Sequence, residues 1–327
     1  MILAGDVGGT KTNLAYYRSE GGILIPVLSK SYLSQQFSSL HEVLYALRRE
    51  HPADITAAAF GIAGPIANGR SKLTNLGWEI VASEIRDDLK IGTVGLLNDL
   101  EATAYGTLHL SGDEKVVLKE GAAQEHAAIA VIAAGTGLGE GALVWDGRQY
   151  RAMPSEGGHA DFSARNDLEA ELLKFLLKRY EHISWERLLS GPGIYTLYEF
   201  LRGRSGHPEP MWLKDQIAAG DPTAAVSQAG MEEKDPVCSN VLDLFVSLYG
   251  AEAGNVALKF LGTGGVFVGG GIAPKIMARM QSGAFLEAFT AKGRFRDLLS
   301  RIPVAVIAND RIALAGAAHF AQMLARE

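Results

Sequence analysis

Apolar segments separated by polar turns run through the first third of the chain and predict strands that alternate with helices. The apolar segments 2–4 and 14–17 predict the two strands of a β-hairpin with a glycine-rich tip. Residues 39–47 predict a helix, because a capping box precedes leucine and valine at helical spacing. Segments 55–60 and 93–97 predict buried strands. This βαβ order predicts a mostly parallel sheet, and ligands of such sheets bind at the strand ends.

The second half of the chain repeats the opening pattern. A polar segment over 111–124 predicts a domain boundary. After it, an apolar strand over 127–134 leads into a glycine-rich tip at 135–139, and a returning strand is predicted over 141–145. Two hairpins with glycine tips, one in each half, indicate a weak internal repeat. If the halves face each other, their tips could hold one polyphosphate from opposite sides.

Two further helices and a strand complete the predicted α/β fold. Leucines and phenylalanine line one face of a helix over 167–180, and the strand 266–268 ends in three glycines. The last helix is rich in small apolar residues, which suits packing against the first domain. We therefore predict a small α/β domain formed by residues 1–110 plus 310–327, and a large α/β domain formed by 111–309.

Size and composition favour a soluble, two-domain protein. The 327 residues are 47% hydrophobic, which is enough for two cores with a cleft between them. The net charge of −6 argues against nucleic-acid binding through backbone phosphates. The single cysteine excludes an internal disulfide and a zinc site made of several cysteines. The start lacks the features of a signal peptide, and the longest apolar run, 127–134, is too short for a membrane span. We expect a cytoplasmic protein with no membrane partner.

The first hairpin tip carries the sequence Gly5-Asp6-Val7-Gly8-Gly9-Thr10. With so few side chains, backbone N–H groups can approach an anion closely. A carboxylate repels phosphate, so Asp6 is best explained as a partner for a bound metal ion. The alternative is an ordinary hairpin turn in which glycine supplies a positive φ.

Asn98 and Asp99 follow the predicted strand 93–97. A carboxylate in this place would enter a cleft, where partial desolvation would raise its basicity. It could then accept the proton of a substrate hydroxyl as that oxygen attacks phosphorus. The alternative is that Asp99 is the N-cap of the helix predicted from Leu100.

The segment Ser155-Glu156-Gly157-Gly158-His159 suits recognition of a neutral, hydroxyl-rich ligand. A carboxylate accepts from sugar hydroxyls, imidazole donates or accepts, and two glycines let a ring lie against the backbone. The alternative is a glycine-rich surface turn. Glu186 could add a third acceptor, although by itself it has the pattern of a solvated helix residue.

A further glycine cluster, residues 269–271, could bring backbone against a flat base such as adenine. It is not the dinucleotide-binding fingerprint, which opens a helix after the first strand, and the sequence has no P-loop. Any nucleotide site in this chain is therefore of another kind.

The order of these motifs resembles that of the bacterial glucokinases, sugar kinases with the actin–hexokinase ATPase fold. Residues 5–10 match the first phosphate motif of that family, 97–102 its catalytic motif, and 134–139 its second phosphate motif. Residues 268–272 match the adenosine motif, and 155–159 are similar to the sugar-binding E-G-G-H. A related group of repressors and kinases carries a cysteine-rich zinc motif that is absent here, so the resemblance is to the zinc-free glucokinases.

This resemblance implies a two-domain, ribonuclease H-like fold with a ligand cleft, and the transfer of phosphate from ATP to D-glucose as the first step of glycolysis. Asp99 would be the general base for the sugar 6-hydroxyl, and Asp6 would meet Mg²⁺ through water. The remaining binding residues that it implies are Asn98, Glu156, His159 and Glu186 for the sugar, and Gly5, Asp6, Val7, Gly8, Gly9, Thr10, Gly135, Thr136, Gly137, Gly269, Gly270 and Gly271 for ATP. We also expect a homodimer that binds no nucleic acid. We expect the cleft to close on the sugar before ATP reacts, because water competes as a nucleophile.

Three alternatives follow from the same residues. The chain could phosphorylate another hexose, an N-acyl hexosamine or a carboxylate on the same fold, since the sequence does not show which hydroxyl meets which acceptor. A non-catalytic, sugar-sensing repressor is less consistent with an acidic chain that opens directly on the phosphate hairpin. A filament-forming ATPase would have no use for Glu156 and His159.

Overall fold

A computed structural model describes residues 1–73 and 75–326 of the chain. Strands are formed by β1 Ile2–Val7, β2 Lys11–Glu20, β3 Ile23–Leu33, β4 Ala57–Ile62, β5 Ile66–Ala67, β6 Arg70–Leu73, β7 Trp78–Val81, β8 Thr93–Asn98, β9 Lys115–Lys119, β10 Ile129–Ala134, β11 Leu138–Trp145, β12 Tyr150–Ser155, β13 Gly265–Gly269 and β14 Val304–Ile307. Helices are formed by α1 Leu40–Glu50, α2 Ala82–Leu89, α3 Asp99–Gly106, α4 Asp167–Leu176, α5 Gly191–Ser205, α6 Met211–Ala219, α7 Pro222–Met231, α8 Pro236–Phe260, α9 Met277–Met280, α10 Ala284–Thr290, α11 Arg296–Arg301 and α12 Ile312–Leu324.

The chain folds into two compact units. The first unit contains Met1–Glu114, Tyr150–Met153 and the C-terminal segment from Asn309. The second contains Lys115–Gln149 and Pro154–Ala308. The polypeptide therefore passes between the units several times, and each unit has its own sheet and its own hydrophobic core.

The sheet of the first unit has the strand order β3-β2-β1-β4-β8. Strand β1 pairs antiparallel with β2 and parallel with β4, which in turn pairs parallel with β8. All six residues of β4 are buried, as expected for a central strand covered on both faces. Helix α12, rich in small apolar residues, packs on β1, β4 and α3. The prediction that the last helix packs against the first domain is confirmed by these contacts.

A six-stranded sheet has the order β12-β11-β10-β13-β14-β9, and its strands β9, β10, β11, β13 and β14 belong to the second unit. Strand β10 pairs antiparallel with β11 and parallel with β13, and β13 pairs parallel with β14. Strands β11-β10-β13-β14 therefore repeat the arrangement of β2-β1-β4-β8, and the predicted internal repeat is confirmed in the topology.

Helix α8 runs through the core of the second unit and packs against α5, α7, α10 and β10. By length and composition it could cross a membrane, but 78% of its apolar window is buried inside the protein. Its hydrophobic side chains therefore meet protein partners, as in the core helix of a globular domain.

Several predicted boundaries are wrong by a few residues. The strand predicted over 55–60 is β4, which continues through Gly61 and Ile62, and the helix predicted over 167–180 ends at Leu176. The second tip is shorter than predicted, because β11 already begins at Leu138. The polar segment 111–124 contains the edge strand β9. This strand begins and ends with a lysine, so its apolar run is too short to be recognised as a strand from hydrophobicity.

Other elements were not predicted, and one predicted cap has a different partner. Strand β3 has no buried position, and strands β5, β6 and β7 are only two to four residues long, so none of them stands out as a buried strand. Ser39 caps α1 by accepting the amide of Glu42, as predicted. The carboxylate of Glu42, however, accepts the amide of Ser38 rather than that of Ser39, so the capping box is incomplete.

Candidate active site

The first hairpin tip is held in a tight turn. The β1–β2 register ends at the pair Val7 and Thr12, and the Gly8 amide donates to the Lys11 carbonyl at 3.0 Å. The Ser34 hydroxyl donates to the Gly8 carbonyl at 2.8 Å. Within the described part of the chain, the amides of Gly9 and Thr10 donate to no acceptor. The tip therefore offers backbone N–H groups to a ligand, as an anion-binding turn requires.

Asp6 lies at the end of β1, just before this turn. The Asn13 side-chain amide donates to Asp6 Oδ2 at 3.2 Å. Burial raises the pKa of Asp6 above its usual range, the Asn13 hydrogen bond opposes that change, and the negative charge of Asp99 adds to it. The negative charge of Asp99 therefore acts on Asp6, and a cation beside Asp6 would relieve this repulsion.

Asn98 and Asp99 share the junction between β8 and α3. Asn98 Oδ1 accepts the Glu101 amide at 2.6 Å, and Glu101 Oε2 accepts the Asn98 amide at 2.8 Å, which completes a capping box. The alternative in which Asp99 is the N-cap is therefore wrong, because Asn98 has that role. Asp99 is the first helical residue, and its Oδ1 accepts the Leu100 amide at 2.9 Å.

The desolvation predicted for Asp99 is not observed, since this residue is exposed. Asp6 is half-buried. The two carboxylates nevertheless lie at the same edge of the sheet. Asp6 pairs with Gly61 on β4, and Gly61 pairs with Leu97 on β8. Two strand spacings, about 10 Å, therefore separate the ends of β1 and β8.

The tip of the second unit is fixed by three hydrogen bonds. The Gly135 amide donates to the Gly137 carbonyl at 2.8 Å, and the Gly191 amide donates to the Gly135 carbonyl at 2.8 Å. The Leu138 amide donates to Glu186 Oε2 at 3.0 Å. These bonds leave the tip as a rigid turn of small residues at the end of a buried strand.

Tyr249 on α8 hydrogen-bonds the end of the strand that leads into this tip. The sequence patterns did not indicate this residue. Its fully buried hydroxyl accepts the Ala134 amide at 3.0 Å and donates to the Gly269 carbonyl at 3.1 Å. Burial raises the pKa of this phenol well above its usual range, so the group stays protonated and can donate. One hydroxyl therefore ties the end of β10 to the end of β13.

The predicted sugar segment lies directly against the second tip. Residues Gly157–His159 form a 3-10 turn, and a Cβ at Gly158 would overlap the carbonyl of Leu138. His159 Nδ1 lies 3.9 Å from Glu186 Oε1. Glu186, which had the pattern of a solvated residue, therefore contacts the tip and lies beside the sugar segment. Its side chain is 33% exposed, which leaves it open to a ligand.

The third glycine cluster is adjacent to the same tip. Strand β13 ends at Gly269, and Gly270 has a φ of 81°, where a Cβ would overlap the backbone of Ala134. The Ile272 amide donates to the Ala134 carbonyl at 3.3 Å. Glycine is required here by the backbone contact itself, and the loop is held against the end of β10.

Comparisons with known proteins agree with this arrangement. A family model described as Glucokinase matches residues 3–324. The chain is 41% identical to a glucokinase of Nostoc sp., over 97% of this chain and 98% of that one, and 40% identical to a glucokinase of Synechocystis sp., over 97% and 96%. Among solved structures, a glucokinase from an Antarctic psychrotroph has a TM-score of 0.89 at 32% identity, covering 98% of each chain. A ROK family glucokinase from Streptomyces griseus, at 19% identity and a TM-score of 0.65, covers 98% of this chain and 99% of its own and shares the fold.

Proposed function

The chain belongs to the glucokinase family, and from that premise we infer that Asp99 accepts the proton of the sugar 6-hydroxyl as that oxygen attacks the γ-phosphorus of ATP. The products are glucose 6-phosphate and ADP, and the protein is an ATP-dependent hexose kinase. The observation that carries the assignment is the placement of Asp99 and Asp6 at one sheet edge, beside an amide-lined turn.

The role of Asp99 follows from its position at the first turn of α3. The Leu100 amide holds Asp99 Oδ1, which restricts the rotation of the carboxylate. A carboxylate fixed in this way can take the hydroxyl proton in the transition state, which is worth roughly 10²–10⁴-fold in rate. The protein's other work in phosphoryl transfer is positioning and charge stabilisation.

The two glycine tips are the proposed phosphate-binding elements. Gly5 to Thr10 in the first unit and Gly135 to Gly137 in the second unit are proposed to hold the ATP phosphates. The Gly8 and Gly135 amides bond within their own turns, so the amides of Gly9 and Thr10 are the ones that the first tip can offer. Gly269 to Gly271 are proposed to bind adenosine, because their loop packs on the strand that carries the second tip. The glucokinase of Streptomyces griseus was solved with glucose and AMPPNP, which supports ATP as the phosphoryl donor.

The donor set around Asp6 fits Mg²⁺. The half-buried carboxylate of Asp6 feels the negative charge of Asp99, and a cation beside Asp6 would be attracted by both. Among the residues that the structure describes, no group of three or more His, Cys, Asp or Glu side chains could hold a metal ion. Mg²⁺ is usually held by one or two carboxylates together with water and substrate phosphates, and Asp6 can supply such a carboxylate. When bound, Mg²⁺ supplies positive charge to the phosphates, and Asp6 would hold it, through water.

Four side chains are proposed to bind the other sugar hydroxyls. Asn98 uses its Oδ1 for the helix cap, so its side-chain NH₂ is the group that can donate to a hydroxyl. In the second unit, the exposed Glu156 and His159 and the half-buried Glu186 provide two acceptors and an imidazole. A solved glucokinase of Balamuthia mandrillaris contains glucose, which supports glucose as the sugar.

We also propose a homodimer located in the cytoplasm, which rests on the family resemblance. Light scattering coupled to gel filtration tests the assembly, and a mass of one chain would exclude it.

A sugar panel tests the proposed substrate. With ATP and Mg²⁺, we expect the highest kcat/KM for D-glucose among hexoses, N-acyl hexosamines and acetate. Rapid turnover of another acceptor with glucose inert would assign a different kinase of the same fold.

The variant Asp99→Asn tests the proposed base. Loss of the carboxylate should lower kcat by about 10²–10⁴-fold. Calorimetry should still find glucose binding within about tenfold of the native affinity, because the amide keeps hydrogen-bonding capacity. The matched control is Asp54→Asn, an exposed aspartate of the same unit. Near-normal turnover of Asp99→Asn would remove the assigned role.

A further inference from the structure

Glu140 is a buried carboxyl that the mechanism does not use. It lies on β11 with 1% of its surface exposed. Its Oε1 atom has no hydrogen-bond partner among the described residues. Burying a carboxyl with an unsatisfied oxygen is unfavourable, so its presence calls for a physical reason.

The nearest charged groups come from α8. Lys259 Nζ lies 2.8 Å from Glu252 Oε1 and 3.7 Å from Glu140 Oε2, and Glu252 is fully buried. Asn255 donates to Glu252 Oε2 at 2.7 Å. One lysine is therefore the cation next to two buried carboxyls, and it lies much closer to Glu252 than to Glu140.

This imbalance keeps Glu140 uncharged near neutral pH. Burial and the negative charge of Glu252 raise the pKa of Glu140 to about 8, against the opposing effect of Lys259. The other titratable groups facing this cluster are Tyr249, which stays protonated, and Lys292, which interacts with Glu252 and whose pKa burial lowers to about 8.

Glu140 is joined to the sugar segment by direct contacts. The Ser155 hydroxyl donates to the Glu140 carbonyl at 2.8 Å and accepts the Gly157 amide at 3.1 Å. The Glu140 carboxyl also lies so close to Gly157 that a Cβ there would overlap Oε2. The Glu140 carboxyl therefore packs directly against the backbone of the segment that carries Glu156 and His159.

We propose that Glu140 is a positioning residue of the hexose site, whose uncharged carboxyl packs against Gly157 and holds Glu156 and His159 in the conformation that binds sugar. This rests on the proposed function of the segment. Ionisation of Glu140 adds a second negative charge next to Glu252, and repulsion displaces the carboxyl together with Gly157. Glucose binding therefore weakens as pH rises.

The expected effect is on KM for glucose rather than on kcat. If the ionised form does not bind sugar, a group with a pKa near 8 raises KM about tenfold between pH 7 and pH 9, while kcat at saturating glucose is unchanged by this group. By reciprocity, glucose binding at pH 8 should take up about half a proton, since glucose binds the protonated form.

The experiment compares the native chain with Glu140→Gln and a matched control, Glu171→Gln, an exposed glutamate of the same unit. KM and kcat are measured from pH 6.5 to 9.5, and proton uptake at pH 8 is measured by calorimetry in buffers of different ionisation enthalpy. We expect Glu140→Gln to lose both the rise in KM and the proton uptake, and the control to keep both. A native KM that stays flat, or a Glu140→Gln profile that still rises, overturns the proposal.

Lys259→Gln decides the question if Glu140→Gln does not fold. Lys259 lowers the pKa of Glu140, so its removal should move the rise in KM to higher pH. A rise that stays at its native pH contradicts the proposal. If glucose is not phosphorylated at all, the proposed function fails instead, and the proton uptake on glucose binding still tests the role of Glu140.

Discussion

Glu186 is the residue in the second unit whose removal should disturb sugar binding and nucleotide binding together. Its Oε2 accepts the Leu138 amide at the end of the Gly135–Gly137 tip, and its Oε1 lies 3.9 Å from His159 Nδ1. In Glu186→Ala, the tip loses this hydrogen bond and the proposed sugar site loses an acceptor. Glu186→Gln keeps an acceptor for the Leu138 amide but removes the charge.

The size of the effect follows from the type of bond. Hydrogen bonds to charged groups contribute about 1.5–3 kcal/mol, and the exposed third of Glu186 favours the lower end of that range. A loss of about 1.4 kcal/mol corresponds to a tenfold change in affinity. We therefore expect Glu186→Ala to raise KM for MgATP about tenfold and KM for glucose at least as much. Glu186→Gln should change KM for MgATP by less than about threefold, because a neutral bond remains.

The assay is steady-state kinetics in which each substrate is varied at saturation of the other. The matched control is Glu181→Ala, which removes an exposed glutamate from the same unit. Thermal unfolding of each variant separates a loss of binding from a loss of folded protein. A Glu186→Ala variant that raises KM for glucose but leaves KM for MgATP within twofold would refute the reasoning, because the bond to Leu138 would then not hold the tip.

Two other substitutions test the supports of the site. Asn13→Ala removes the hydrogen bond that lowers the pKa of Asp6, so this pKa should rise further. The loss of kcat/KM for MgATP at low pH should then begin at a higher pH. An unchanged pH profile would show that the ionisation of Asp6 is not needed for nucleotide binding. Tyr249→Phe leaves the Ala134 amide and the Gly269 carbonyl unsatisfied, and should lower the free energy of unfolding by about 1–3 kcal/mol and raise KM for MgATP. Urea unfolding measures the change in the free energy of unfolding of Tyr249→Phe, and a stability equal to that of the native chain would contradict the prediction.

Much of the candidate site could be predicted because its elements are local. The turn at Gly8 depends on residues within a few positions of each other, so glycine placement suffices to indicate it. The cap of α3 is equally local, since Asn98 and Glu101 have the spacing of a capping box, but Asp99 was the cap weighed from the sequence and Asn98 was missed. Both side chains can accept an amide, and only the structure shows that Asn98 has the orientation of the cap.

The sequence by itself determined the two hairpins, the buried strands and the order of the motifs, since hydrophobic period and turn chemistry are set by neighbouring residues. Only the tertiary structure decided that Glu186 bonds the Leu138 amide, that Tyr249 joins β10 to β13, and that Glu140 lies beside Glu252. These contacts join residues far apart in the chain. They depend on which strands and helices become neighbours, and a local pattern carries no information about that choice.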